Sequence, residues 1–212
     1  MKPADSPGSP VMDLVAGPQG GGKSTFFPVS DRGHESFNVD DRRRELNRGS
    51  PKRIPPDVRR QAVAEYREFI EGHIRRRLSF SIELTLAKEI TFQQARRAHG
   101  AGFRVHLTYV AAEVEECIQR VANRLRRGGH GVSPALIRET YSSSMRNLSR
   151  AIREFDLVQV YDNSHRAHPE EATQDTEPQL VLEAQRGAIT YVRSSPPGWL
   201  TAELGKGGHD LL

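Results

Sequence analysis

Four glycines, a lysine and two hydroxyl side chains lie close together at residues 17–25, after an apolar run at 11–16. Their spacing matches the pattern Gly, four residues, Gly-Lys-Ser/Thr without a mismatch. Glycines allow the backbone to approach phosphate oxygens, and successive N–H groups then face the bound anion. In this pattern Lys23 contacts the β- and γ-phosphates and the Ser24 hydroxyl holds Mg²⁺. A strand before the motif and a helix after it favour this interpretation over a flexible turn. The predicted nucleoside triphosphate site comprises Gly17, Pro18, Gln19, Gly20, Gly21, Gly22, Lys23, Ser24 and Thr25.

Three carboxylates follow predicted strands. Asp40 and Asp41 end a short strand at 36–41, and Glu83 lies near the end of an apolar strand at 79–85. Because ligands of parallel α/β sheets bind at the carboxyl ends of the strands, Asp40 is a candidate base for an acceptor hydroxyl. Asp41 is better explained as a cap of the next helix. Glu83 would contact a metal-bound water or the substrate, or else pair with an arginine.

Arginines surround a glycine-rich joint in the second half of the chain. A lid with such a joint could close over a phosphate and exclude water. Arg124 and Arg138, on either side of the joint, are the candidates for this role. His130 either contacts phosphate or serves as a hinge, and the other arginines are better explained as a solvated basic face. The residues concerned are Arg120, Arg124, Arg126, Arg127, Gly128, Gly129, His130, Arg138 and Arg146.

Alternating strands and helices would position these side chains. The pattern predicts an α/β fold with a mostly parallel central sheet covered on both faces. Strands are predicted at 11–16, 36–41, 79–85, 103–110 and 156–161, with a hairpin at 180–193 that turns at Arg186-Gly187. Helices are predicted to begin near Lys23 and to cover 57–78, 88–99, 114–125 and 133–154.

The chain of 212 residues is long enough for one α/β domain, predicted at 11–193. Residues 1–10 lack the apolar segment of a secretory signal and are expected to be a disordered leader. Residues 165–178 look like an exposed acidic loop, and 194–212 are expected to be a loosely ordered tail. No stretch approaches the roughly twenty apolar residues of a membrane span, so we expect a cytoplasmic protein without a membrane partner.

The single cysteine and the charge agree with this expectation. Cys117 excludes an intrachain disulfide and lies on an apolar helical stripe, which indicates a buried structural thiol. The net charge of +4 suits an anionic small-molecule substrate. Nucleic acid is an unlikely partner because the sequence has neither an aromatic RNA-binding motif nor zinc-ligand spacing. A guanine-reading Asn-Lys-x-Asp segment is also absent from the sequence, which favours a kinase over a GTPase.

Several blocks, in the same order, resemble the zeta toxin-like P-loop kinases. The most specific is Arg-Val-Ala-Asn-Arg-Leu-Arg-Arg-Gly-Gly-His-Gly-Val-Ser-Pro at 120–134. The resemblance covers about residues 11–164. The other blocks are the glycine-rich motif at 17–26, Asn-Val-Asp at 38–40, Ile-Glu-Leu-Thr-Leu at 82–86, segments around Ile137-Arg138, Tyr141 and Arg146-Asn147-Leu148, and Tyr-Asp-Asn-Ser at 161–164.

This resemblance implies a P-loop nucleotide-kinase-like, three-layer fold and an ATP-dependent kinase with Mg²⁺. Well-known members phosphorylate the 3′-hydroxyl of the amino sugar of UDP-N-acetylglucosamine and act as toxins, so a separate antitoxin protein is an expected partner. The implied roles are ATP-Mg²⁺ binding for Lys23 and Ser24, base for Asp40, substrate contact for Glu83 and Thr85, lid for Arg124 and Arg138, and adenine contact for Asp162 and Asn163.

The chain departs from the family pattern in its predicted lid. Glu139, Thr140 and Ser143 stand where the family often has arginine, so phosphate binding is weaker or Arg146 substitutes. Two alternatives to a UDP-sugar kinase therefore stay open. One is a kinase of another sugar or nucleotide hydroxyl, and the other is a nucleotide-binding switch without catalysis.

Overall fold

The computed structural model describes residues 8–129, 131–164 and 177–206, whose strands form one seven-stranded sheet. The sheet order is β2-β3-β1-β4-β5-β6-β7. Neighbours from β2 to β5 are parallel, whereas β5-β6 and β6-β7 are antiparallel. The strands are β1 (Val11–Ala16), β2 (Glu35–Asn38), β3 (Phe80–Leu84), β4 (Arg104–Ala111), β5 (Leu157–Asp162), β6 (Gln179–Gln185) and β7 (Ala188–Val192). The predicted α/β fold with a mostly parallel sheet is confirmed.

Among the described residues, the structure has five helices at the predicted positions, of which the first is short, and two others, at 39–46 and 198–206, that cover residues predicted as strand or tail. They are α1 (Lys23–Phe26), α2 (Val39–Leu46), α3 (Pro56–Arg76), α4 (Glu89–Gly100), α5 (Val114–Arg126), α6 (Pro134–Glu154) and α7 (Gly198–Lys206). The helix after the glycine loop is a single turn, because Pro28 disfavours a helical conformation at Phe27. A 3-10 turn at Val29–Asp31 follows it instead of a longer helix.

One face of the sheet carries the hydrophobic core. On β1, Met12, Leu14 and Ala16 are fully buried and point to this face, as the period of two requires. Residues of α3, α4, α6 and α7 cover it, and Phe92 of α4 stacks on Phe155 beyond α6. Burial of side chains of this size contributes about 1.5–3 kcal/mol each. The core therefore fixes β1 in the middle of the sheet and sets the position of the glycine loop.

The prediction of a loosely ordered tail at 194–212 is wrong for the part that the structure describes up to residue 206. Residues 198–206 form α7, and Trp199, Leu200 and Leu204 are buried in the core. The apolar side chains of this short segment pack against α6. The stability gained from this packing outweighs the unfavourable effect of the glycines on helix formation. Residues 207–212, the leader at 1–7 and the acidic segment 165–176 lie outside the described residues.

None of the helices in the described part of the chain has the length and apolarity that a membrane span requires.

Candidate active site

The glycine loop joins the end of β1 to α1 and is packed closely against neighbouring backbone. Gly17 has φ of 143°, and a Cβ atom there would lie 2.0 Å from the carbonyl oxygen of Val110 in β4. Gly22 has φ of 100°, and a Cβ there would lie 2.1 Å from Nδ2 of Asn163. Both positions therefore require glycine for backbone conformation as well as for space. The loop is held in shape before any ligand arrives.

Lys23, the first residue of α1, is buried and donates to the backbone. Its Nζ lies 2.8 Å from the carbonyl oxygen of Gly17 and 3.0 Å from that of Pro18. Burial lowers the pKa of Lys23, since the charged form is desolvated. The two carbonyls supply partial charge only, whereas a bound phosphate would bring a full negative charge into contact with this ammonium.

Three of the predicted site residues carry charges that affect the pKa of Lys23. The carboxylates of Glu83 and Asp40 oppose the effect of burial and raise the Lys23 pKa, whereas Arg124 lowers it. β3 lies beside β1 and β2 lies beside β3, and all three strands are parallel, so their carboxyl ends share one end of the sheet. The structure thus places Glu83 in contact with Ser24, the neighbour of Lys23, and Asp40 two positions after Asn38, which lies in register with Glu83.

Ser24 and Glu83 contact each other directly. The Ser24 hydroxyl donates to the Glu83 carboxylate at 2.8 Å. Glu83 lies in β3 in register with Val15 of β1 and Asn38 of β2, which aims it at the space beyond the glycine loop. Mg²⁺ prefers one or two protein oxygens together with phosphate oxygens and water. A hydroxyl and a carboxylate in contact fit that preference, and Thr85, half-buried just after β3, lies beside them in sequence.

Asp40 and Asp41 lie in the first turn of α2 rather than in a strand. The prediction of a strand to residue 41 is wrong at its end, because Asn38 Oδ1 accepts from the backbone N–H of Asp40 at 2.9 Å and of Asp41 at 3.4 Å. This cap starts the helix at Val39. Asp40 pairs with Arg43 at 2.9 Å, and Asp41 makes the equivalent pair with Arg44 at 3.0 Å.

A polar cavity of about 300 Å³ opens between α2 and the segment after the glycine loop. Ser24 and Glu83 line it from one side and Asn38 and Asp41 from another. Its lining includes Asp41 rather than Asp40, although both carboxylates lie in the same helical turn. The full lining is Ser24, Pro28, Val29, Ser30, Ser36, Phe37, Asn38, Asp41, Arg42, Glu45 and Glu83.

A second cavity, of about 490 Å³, lies beside α5 and the joint that follows it. It is lined by Arg120, Asn123, Arg124, Arg127 and Gly129. Arg124 therefore lines a cavity together with Arg120, whose guanidinium also contacts the glycine loop.

The other predicted lid arginine, Arg138, is held elsewhere. Its guanidinium forms a two-point pair with the carboxylate of Glu115, which raises the pKa of Arg138, and the side chain is half exposed. These contacts tie α6 to α5. The structure does not bring Arg138 to Lys23, and His130 lies outside the described residues.

The sequence assigned Arg120 to a solvated face, but it is a structural link in the site. Its guanidinium donates to the carbonyl oxygens of Gly20 at 3.3 Å and Asn163 at 2.6 Å, and it pairs with Glu116 at 2.5 Å. One signal could have identified it. Arg120 lies three positions after the buried Cys117, so it faces the protein rather than solvent.

Asp162 and Asn163 form hydrogen bonds with other residues of the protein. Asn163 donates its side-chain amide to the carbonyl oxygen of Gly21 at 2.9 Å and its backbone N–H to Ala111. The buried Asp162 carboxylate accepts from Ser164 and from the indole N–H of Trp199 at 3.1 Å. The predicted adenine-side turn therefore contacts the glycine loop, and its aspartate has protein partners.

The fold and this site define a P-loop kinase-like α/β protein. The Zeta toxin family matches residues 1–171, so the chain belongs to the zeta toxin family. Among curated proteins, an uncharacterized protein of Haemophilus influenzae is 28% identical over 130 residues, which cover 60% of this chain and 90% of that protein.

Two solved structures share the fold at low sequence identity. The PezAT chromosomal toxin–antitoxin system of Streptococcus pneumoniae is 17% identical, with a TM-score of 0.56 over 96% of this chain and 86% of that chain. The AvrRxo1-ORF1:AvrRxo1-ORF2 complex with ATP is 15% identical, with a TM-score of 0.63 over 96% of this chain and 66% of that chain.

Proposed function

We propose that this chain is an ATP-dependent kinase that transfers the γ-phosphate to a hydroxyl of a small molecule. The observation that carries the proposal is the contact of Ser24, which follows the buried Lys23, with Glu83 at the end of the sheet where Asn38 caps the helical turn that holds Asp40. Phosphoryl transfer requires a phosphate-binding cation, oxygens for Mg²⁺ and a carboxylate near the acceptor hydroxyl. This one end of the sheet supplies all three.

In the proposed reaction Lys23 exchanges its two backbone carbonyl partners for the β- and γ-phosphates of ATP. Ser24 and Glu83 hold Mg²⁺, which supplies charge neutralisation on the phosphate oxygens when it is bound. The Asp40 carboxylate accepts the proton of the acceptor hydroxyl while that oxygen bonds to the γ-phosphorus. The bond from the γ-phosphorus to the bridging oxygen breaks and ADP leaves. Arg124 stabilises the charge of the group in transfer.

The acceptor binds in the cavity of about 300 Å³ beside Ser24 and Glu83. Its volume is at the lower end for ligand sites, roughly 300–1,000 Å³. Hydroxyls of Ser30 and Ser36, the Asn38 amide and the carboxylates suit a polyhydroxylated molecule. By the family resemblance, the acceptor is the 3′-hydroxyl of the amino sugar of UDP-N-acetylglucosamine.

Incubation with ATP, Mg²⁺ and a panel of UDP-sugars, followed by mass spectrometry, tests this function. We expect UDP-N-acetylglucosamine to gain one phosphate, and the gain to vanish in Asp40→Asn. Transfer to other acceptors only, such as a free sugar or a nucleotide ribose, would contradict the assigned substrate but support a kinase.

The pairing of Arg138 with Glu115 favours one alternative, a nucleotide-binding switch without catalysis. Positions 139, 140 and 143 also lack the arginines that the family often has there. Tight ATP binding without transfer to any acceptor of the panel would support the switch and contradict the kinase.

We further propose that the kinase acts in the cytoplasm as a toxin with a separate antitoxin partner. Family membership supports this, and the fold is shared with a protein of the PezAT toxin–antitoxin system. Co-expression with the protein encoded next to it should relieve growth arrest. Arrest that persists in its presence would contradict an antitoxin role for that neighbour.

A further inference from the structure

The side chain of Trp199 ties the C-terminal helix α7 to the turn after β5. Its indole N–H donates to the Asp162 carboxylate at 3.1 Å, and both side chains are nearly inaccessible to solvent, at 7% and 6% exposed. The same oxygen of Asp162 accepts from the backbone N–H and the hydroxyl of Ser164. Trp199 lies beyond residue 171, the end of the family match. The link therefore comes from a part of the chain that family membership does not explain.

The residue after Asp162 reaches the glycine loop. Asn163 donates its amide to the carbonyl oxygen of Gly21 at 2.9 Å, and its own carbonyl accepts from Arg120 at 2.6 Å. Arg120 also donates to Gly20. A continuous set of contacts thus runs from α7 through the 162–163 turn to the loop that would hold the triphosphate.

We propose that Trp199 is a positioning residue for the nucleotide and acts through Asp162 and Asn163. The proposal rests on the ATP binding in the proposed function and does not depend on the acceptor. Loss of the indole N–H removes the donor that ties this carboxylate to α7 and leaves the donors of Ser164, so the carboxylate either shifts toward Ser164 or takes up water. Either change moves the 162–163 turn and loosens the loop, so that ATP must order the loop when it binds.

The experiment compares Trp199→Phe with the wild-type chain at full length. Phenylalanine keeps an aromatic ring in the core but has no N–H. Leu204→Ala is the matched control, because Leu204 is buried in the same helix and has an apolar side chain that cannot bond to Asp162. The Kd for ATP is measured by isothermal titration calorimetry, and the melting temperature is measured in parallel.

We expect both variants to melt at lower temperature, but only Trp199→Phe to raise the Kd for ATP, by about fivefold, as loss of one hydrogen bond would allow. In an Asp162→Ala background, Trp199→Phe should have no further effect on Kd, because the two residues act as a unit. A Kd within twofold of wild type in Trp199→Phe, or an equal rise in Leu204→Ala, would overturn the proposal.

Fluorescence gives a second measurement on the intact protein. Trp199 is the only tryptophan of the chain, so the tryptophan emission reports on the surroundings of this side chain. Addition of ATP should change the emission intensity, and unchanged emission at saturating ATP counts against the proposal. If the wild-type chain binds ATP but phosphorylates no acceptor, the proposed kinase function is contradicted. The Kd comparison still tests the role of Trp199 in that case. A chain that binds no ATP would contradict both.

Discussion

Arg32 holds Asp13 by a two-point ion pair in the middle of the sheet. Its Nε lies 2.7 Å from one carboxylate oxygen and its Nη2 3.2 Å from the other, and Nη2 also donates to Thr108 at 2.8 Å. Asp13 is the polar residue that interrupts the apolar strand β1. This pair anchors the segment that follows the single turn of α1, and Pro28, Val29 and Ser30 of that segment line the cavity of about 300 Å³.

Removal of the arginine should leave a buried carboxylate without its partner. We expect Arg32→Met to lower the free energy of unfolding by about 3 kcal/mol, whereas the double variant Asp13→Leu/Arg32→Met recovers most of that loss. Urea denaturation of the two variants and the wild type measures this. A loss below about 0.5 kcal/mol in Arg32→Met would show that the pair contributes little.

Asp40 and Asp41 form a matched pair for kinetic comparison, since each is half exposed and pairs with the arginine three positions later. Asp40→Asn should lower kcat by about 10²–10⁴, the usual contribution of a general base. Asp41→Asn, which changes the cavity lining, should raise the KM for the acceptor and leave kcat within about tenfold. A reversed pattern would assign the base to Asp41.

The contact between Ser24 and Glu83 predicts coupling in the binding of ATP-Mg²⁺. Ser24→Ala and Glu83→Gln should each remove most of the tenfold or greater increase in ATP affinity that we expect Mg²⁺ to cause. Their effects should not add in the double variant, because the side chains share one site. Calorimetric titrations with Mg²⁺ and with EDTA measure this. Additive losses would place the two residues at independent sites.

Replacement of Lys23 should separate stability from function. Because burial lowers the Lys23 pKa, the ammonium is costly in the unliganded protein, and Lys23→Met should melt at the same or a higher temperature. The rate of phosphoryl transfer should fall by a factor of at least about 10² in the same variant, because the phosphate contact is lost.

Expression of Lys23→Met in bacteria tests the toxin proposal. If this variant leaves bacteria growing while the induced wild type arrests them, the toxin proposal is supported. Equal growth of both would contradict it.

The ion pairs of Glu89 predict a loss of stability in acid. Arg150, which also lies 4.0 Å from the Phe92 ring centroid, and Arg96 lower the pKa of Glu89 to about 2. The folded pKa lies below the ordinary value, so the stabilisation is present above about pH 4.5 and is lost as the pH falls toward 2. Melting temperatures from pH 7 to pH 2.5 should fall less steeply in Glu89→Gln than in Glu68→Gln, a control on α3. Parallel curves would refute this linkage.

The sequence by itself determined the class of fold and the position of the glycine loop. The glycine motif is local, and its chemistry needs only a strand before it and a helix turn after it. Apolar periodicity predicted all of the strands in the described residues, because burial on the sheet imposes a period of two and on helices a period of 3.6. The family blocks predicted one site for Lys23, Ser24, Asp40 and Glu83, and in the structure Ser24 and Glu83 are in contact.

Only the tertiary structure decided the long-range contacts. The contacts of Arg32 with Asp13, Arg120 with Asn163, and Trp199 with Asp162 join positions that are 19 to 43 residues apart. Periodicity does not distinguish such polar residues from surface residues. The pairing of Arg138 with Glu115 likewise depends on how α5 and α6 pack. The tail was misjudged for the same reason, since the three apolar residues of α7 gain stability only from the core that they cover.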